Sequence, residues 1–166
     1  MFRASLLCAA LLLGSVAPSF AQSQLTPQDL VEIQQLYSKY NWALDTGDSK
    51  GYADTFTPDG IFNKTNVGRE ALIKFADGFH ASLGAHVKHW NTNLMITPTP
   101  EGAAGQVYLV LVDFGNKPAT IATSATYTDE LVKTPQGWRF KKRQTRPEGP
   151  PAAPSGQAPA PAAAPR

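Results

Sequence analysis

The chain changes its hydrophobic period once, between residues 83 and 86, and that change restricts it to a small set of folds. Before the change, Leu30, Ile33, Tyr37, Tyr40 and Leu44 recur at spacings of three and four, which is the stripe of an amphipathic helix. Leu72, Phe75, Ala76, Phe79 and Leu83 repeat the pattern after Gly68. After the change, residues 86–97, 105–115, 120–134 and 138–145 read as strands. The breaks between them carry Pro98-Thr99-Pro100, Asn116-Lys117-Pro118 and Pro135-Gln136-Gly137. Helices followed by antiparallel strands predict an α+β domain. Thr26-Pro27-Gln28-Asp29 supplies a cap, a first-turn proline and an acid for the first helix. Asp48 caps a shorter helix holding Tyr52 and Phe56, and Thr57-Pro58-Asp59-Gly60 turns the chain into a short strand at Ile61-Phe62. Three helices cover only one face of such a sheet. A long sheet curving around a helix pair leaves a cavity at its open end, a common ligand site.

Both ends of the 166 residues read differently from the middle. Residues 1–21 have Arg3, then a short apolar run from Leu6 to Val16, then Ser19-Phe20-Ala21. These are the marks of a secretory signal peptide cut after Ala21. The expected protein is therefore periplasmic or secreted, with no stable membrane anchor once the segment is removed. Cys8, the only cysteine, leaves with it, so the domain uses no disulfide, thiolate metal site or cysteine nucleophile. At the other end, residues 147–166 hold seven of the fourteen prolines and no large apolar side chain, so a disordered Pro/Ala-rich tail is expected. One domain over 22–146 remains. Without Arg3 the basic and acidic residues number 14 and 13, which gives no electrostatic case for nucleic acid.

Within the first strand, His89, Asn91 and Asn93 alternate with Trp90, Thr92 and Leu94, so each set shares a face. His86 and His89 point to opposite faces with no carboxylate beside them, which argues against a metal. No phosphate-cradling glycine loop and no nucleophile-elbow serine occurs, and no cofactor is expected. On a regular helix the side chains of Tyr40 and Asp45 lie about 140° apart, whereas Tyr37, Asn41 and Asp45 lie nearer one line. Strict alternation from Trp138 and Phe140 turns Arg143 toward solvent.

Three stretches carry a resemblance: Tyr37 through Asp45 to Asp48, Phe56-Thr57-Pro58-Asp59-Gly60-Ile61-Phe62, and Tyr127 through Trp138 to Arg143. Together with the helix after Gly68 and the His89-x-x-x-Asn93 segment, they resemble the SnoaL-like branch of the nuclear transport factor 2-like superfamily over residues 25–146. The resemblance implies a cone: a curved, mostly antiparallel sheet wrapped around three N-terminal helices, with an apolar pocket at the wide end. It implies His89 as acid and base, Tyr40 on a substrate oxygen, and Asp45 orienting the imidazole. It implies a bulge that turns Arg143 inward. Asn93, Asn63, Tyr37 and Arg143 would contact substrate. Asn63 stands where ketosteroid isomerases end the matching segment with a general-base aspartate, so that chemistry is not expected. Two functions follow as expectations. One is an exported protein that binds a small apolar molecule in the cone, as a cofactor-independent dehydratase or isomerase. The other is a non-catalytic ligand-binding or dimerisation module, including a homodimer through the sheet face.

Overall fold

Helix α1 (Pro27–Thr46) starts with a full capping box. Thr26 Oγ1 accepts from the Asp29 backbone N–H, and the Asp29 carboxylate accepts from the Thr26 N–H. It stops at Gly47, whose φ of 74° suits a residue without a Cβ. Asp48 then caps α2 (Ser49–Asp54) by accepting from the Gly51 N–H. Strands β1 (Phe56–Phe62) and β2 (Asn66–Val67) follow, then α3 (Gly68–Leu83) and the long strands β3 (Val87–Thr99), β4 (Gly102–Asp113), β5 (Thr120–Thr134) and β6 (Gly137–Pro147). The computed structural model describes residues 24–149, so the expected signal peptide lies outside them, as does most of the expected tail. Strand β6 runs through Pro147, which pairs with Ala125.

The six strands form one sheet in the order β2-β1-β6-β5-β4-β3. The long strands are antiparallel neighbours, while β1 joins β6 in parallel. This corrects the expected cone. The sheet is mixed and open, with β2 at one edge and β3 at the other, and the two edges do not pair. Closure needs every strand to carry two ladders, and two-residue β2 has no length with which to reach β3. Nor are all three helices N-terminal, because α3 enters after two strands and packs on α2, β1 and β2.

The space assigned to a ligand is occupied. Tyr37 and Tyr40 from α1, Tyr52 from α2, Phe56 and Phe62 from β1, and Tyr127, Trp138 and Phe140 from the sheet form one buried cluster. Their rings meet edge-on or tilted, for example Tyr40 and Phe140 at 5.6 Å and 75°. Burying each such side chain contributes about 1.5–3 kcal/mol. These eight aromatic side chains fill the space between the helices and the sheet.

Candidate functional site

Two polar clusters sit against this core, and α1 positions both. The first joins α1 to β3. Asn41 and Asp45 are one helical turn apart and so face the same neighbour. The Asp45 carboxylate accepts the His89 backbone N–H at 3.2 Å to each oxygen, and His89 Nδ1 lies 2.6 Å from its Oδ1. Asn41 Nδ2 donates to the His89 carbonyl, and Lys88 Nζ donates to the Asp45 carbonyl near the C-terminus of α1, where a cation is favoured. Both side chains of the pair are almost fully buried. An ionised carboxylate can only accept, so the hydrogen of the Nδ1 contact belongs to the imidazole. The ring of Phe79 on α3 lies 5.3 Å from the imidazole. Beyond it Phe75, Phe79 and Leu83 line an open depression of about 750 Å³ with Asn66.

An acid here satisfies two donors at once. Asp45→Asn is expected to cost about 1.5 kcal/mol, the worth of a hydrogen bond to a charged acceptor, read as a lower urea midpoint at unchanged slope. An unchanged midpoint would remove the pair from the bonds that hold α1 on β3.

The second cluster is the most buried charge in the domain. Arg143 is 0% exposed and meets Asp129 through Nε and Nη2, both at 2.7 Å. Tyr37 donates its hydroxyl to the same carboxylate. The guanidinium carbon lies 4.0–4.7 Å from the ring centres of Tyr37, Tyr40, Tyr127 and Phe140. Burial opposes the charge on Arg143, and the Asp129 carboxylate more than restores it. Burial pushes the Tyr37 phenol up, and Asp129 adds to that. Arg143 faces inward because the β5–β6 register shifts between Glu130↔Lys142 and Leu131↔Phe140, leaving Lys141 as the extra residue of a bulge. The inward turn is the one the resemblance implied and strict alternation did not.

The residues singled out from the sequence thus fall into separate places. His89 and Asp45 meet. Tyr37 and Arg143 meet through Asp129. Tyr40 stands apart from the His89–Asp45 pair: its ring packs on Tyr52 and Phe140 and lies 4.2 Å from the Arg143 guanidinium carbon. Asn63 closes β1 with φ 50° and accepts the Thr145 N–H at 2.7 Å, so it pins β6. Asn93 sits at φ 58° where the β3–β4 register shifts between Thr92 and Met95, and it is exposed. The alternation that grouped it with His89 ends there.

Sequence reasoning missed Asp129 and Gly105. Alternation along β5 puts Asp129 on the buried face of Tyr127 and Leu131, so an acid at a core position was the available signal. Gly105 pairs with Asp129, and a Cβ on it would sit 2.1 Å from the Tyr37 hydroxyl. A glycine inside a strand marks such a close approach.

This geometry overturns the expectation of a small apolar molecule held in a cone, and of the three residues expected to act on it, it brings only His89 and Asp45 together. The interior is filled, the sheet does not close, and Tyr40 is packed away into the aromatic core.

The class is an α+β domain with three helices packed on the inner face of a mixed six-stranded sheet. The chain belongs to the SnoaL-like domain family, whose profile matches residues 26–144, and shares the nuclear transport factor 2-like fold. A protein of unknown function from Mycobacterium tuberculosis is 29% identical over 81% of this chain and 78% of its own, with a TM-score of 0.67. One of unknown function with a cystatin-like fold from Nostoc punctiforme is 25% identical over 80% and 98%, with a TM-score of 0.70. A Catenulispora acidiphila protein solved in complex with S-DNPA is 28% identical over 72% and 95%, with a TM-score of 0.62. No curated protein matches the chain.

Proposed function

We propose that this domain works as a homodimer joined through the outer face of its sheet. One observation carries the reading. Side chains that belong in a core stand on the solvent side of β3, β4 and the β5 entry: Trp90 is 54% exposed, Tyr108 55% and Ile121 69%. Register puts them on one face of three adjacent strands, since Trp90 pairs with Val110, Tyr108 with Thr92, and Val112 with Ile121. Met95 and Phe114 extend the patch, and the Trp90 and Phe114 rings lie 5.9 Å apart. Large apolar side chains this exposed on neighbouring strands mark an interaction surface. Two such faces stacked at about 10 Å remove it from water and suit the roughly 800 Å² per partner of a stable interface.

Light scattering across a concentration series tests the proposal. The unaltered chain is expected at twice the monomer mass. Trp90→Glu puts a charge in place of a large aromatic of the patch and is expected to weaken association about 30-fold or more, the effect of losing a hot-spot aromatic of 2 kcal/mol. At concentrations where both chains are monomeric their unfolding should barely differ, because Trp90 lies outside the core. A monomeric mass throughout the series ends the proposal.

A further inference from the structure

One face of α1 forms a wall of a groove of about 870 Å³, with α2 and the β5–β6 turn as the others. That size lies within the range of small-molecule sites. The groove shares no residue with either polar cluster or with the outer-face patch. Val31, Gln35 and Trp42 follow one another along α1 at helical spacing, so they stand in a line about 16 Å long. Trp42 is 74% exposed, and Leu36 and Trp138 add buried apolar surface to the lining. The charges of the groove cancel. Its acids are Glu32, Asp48 and Asp54, and its bases are Lys39 and Arg139, with Arg69 paired to Asp54. Most of them are already engaged: Glu32 accepts from the Gln28 amide at 3.0 Å, Asp48 accepts the Gly51 N–H at 2.8 Å, and Arg139 donates to the Trp138 carbonyl at 2.8 Å. A lining without net charge attracts neither anion nor cation. The exposed amides of Gln35 and Gln136 each offer donors and an acceptor.

We propose that this groove binds a neutral carbohydrate chain, with one pyranose ring stacked on Trp42. A pyranose carries C–H bonds on its faces, and these slightly positive hydrogens pack on the negative face of an indole. Its hydroxyls project from the rim and each both donates and accepts. They therefore match the amides of Gln35 and Gln136 and the remaining lone pairs of Glu32 and Asp48. It has no charge for the balanced lining to oppose. Other ligand classes fit less well. A purely apolar one would strip water from Gln35, Lys39 and Gln136 without replacing their hydrogen bonds. An anion would meet Glu32 and Asp48, and a cation would meet Lys39 and Arg139. The line from Val31 to Trp42 is longer than one ring, so the ligand is a chain of sugars rather than a single one.

Nuclear magnetic resonance of the tryptophan indole N–H groups reads the site directly. Cellohexaose, maltohexaose and the hexamer of N-acetylglucosamine, all neutral, are titrated separately into the full chain. At least one is expected to shift the Trp42 signal saturably below about 10 mM, and to leave the Trp90 signal on the outer sheet face in place. Trp42→Ala, read from the backbone amides of α1, is expected to weaken binding about tenfold or more, the loss of one stacked ring. Gln35→Ala is expected to weaken it about threefold, the loss of one neutral hydrogen bond. A Trp42 signal unmoved by all three sugars overturns the proposal, as does binding that survives Trp42→Ala unchanged. A Trp42 shift that follows protein concentration with no sugar present also overturns it, because the occupant is then a second copy of the chain.

Discussion

Arg143→Ala is expected to remove about 3–5 kcal/mol of stability, a large share of the roughly 5–15 kcal/mol that a native domain has in total. The loss has three parts. Asp129 stays behind, charged and fully enclosed, with only the Tyr37 hydroxyl of its buried partners left. Four aromatic rings lose the cation between them. A side-chain-sized void opens where Arg143 was. Urea unfolding measures the sum. The informative variant is the pair Arg143→Met with Asp129→Leu, which removes both charges and keeps the volume. It is expected to lie well above the sum of the two single losses, because an enclosed ion pair contributes little net stability over apolar packing. Strict additivity of the single losses would show that the two groups do not act as a couple.

Asp29→Ala is expected to cost about 2–3 kcal/mol, more than an ordinary helix cap. This carboxylate does more than close the capping box. It accepts Thr26 Oγ1 at 2.7 Å, Lys133 Nζ at 2.6 Å and Trp138 Nε1 at 2.9 Å, so it ties the start of α1 to the β5–β6 hairpin. Without it the enclosed indole N–H has no acceptor. The pH dependence follows. The Lys133 ammonium first, then Thr26 and Trp138, hold the Asp29 carboxyl well below the usual carboxylate range, against the opposing effect of burial. A depressed folded-state value means that its contribution is complete above the unfolded value of about 4 and is lost as pH falls below it. Unfolding midpoints between neutrality and strong acid should therefore converge for Asp29→Ala and the unaltered chain. A constant gap across that range would separate Asp29 from the acid response.

How far the sequence carried depends on the kind of signal. The period change near residue 84, the Thr26–Asp29 cap and the turns after Pro98, Lys117 and Pro135 are local, and those elements form close to where they predict, whereas Phe56 and the expected Thr57–Gly60 turn belong to β1. The line of Tyr37, Asn41 and Asp45 was also readable, and all three side chains reach the sheet. What was not readable depends on register. One inserted residue at Lys141 decides whether Arg143 is solvated or enclosed, and one left-handed residue at Asn93 ends the alternation begun at His89. The filled interior was hidden for a related reason. Alternation says which side chains face inward, but not whether the sheet curls far enough to leave them apart.

The interruption at Asn93 has a consequence for solubility. Strand β3 is thirteen residues long and forms an outer margin of the sheet. An uninterrupted margin of that length is a template on which identical chains add rung by rung into fibrils. The left-handed kink at Asn93 breaks the template near its middle, and Pro98, without an N–H, blunts its far end. Face-to-face pairing is finite, so it can hide the apolar surface without starting open-ended growth.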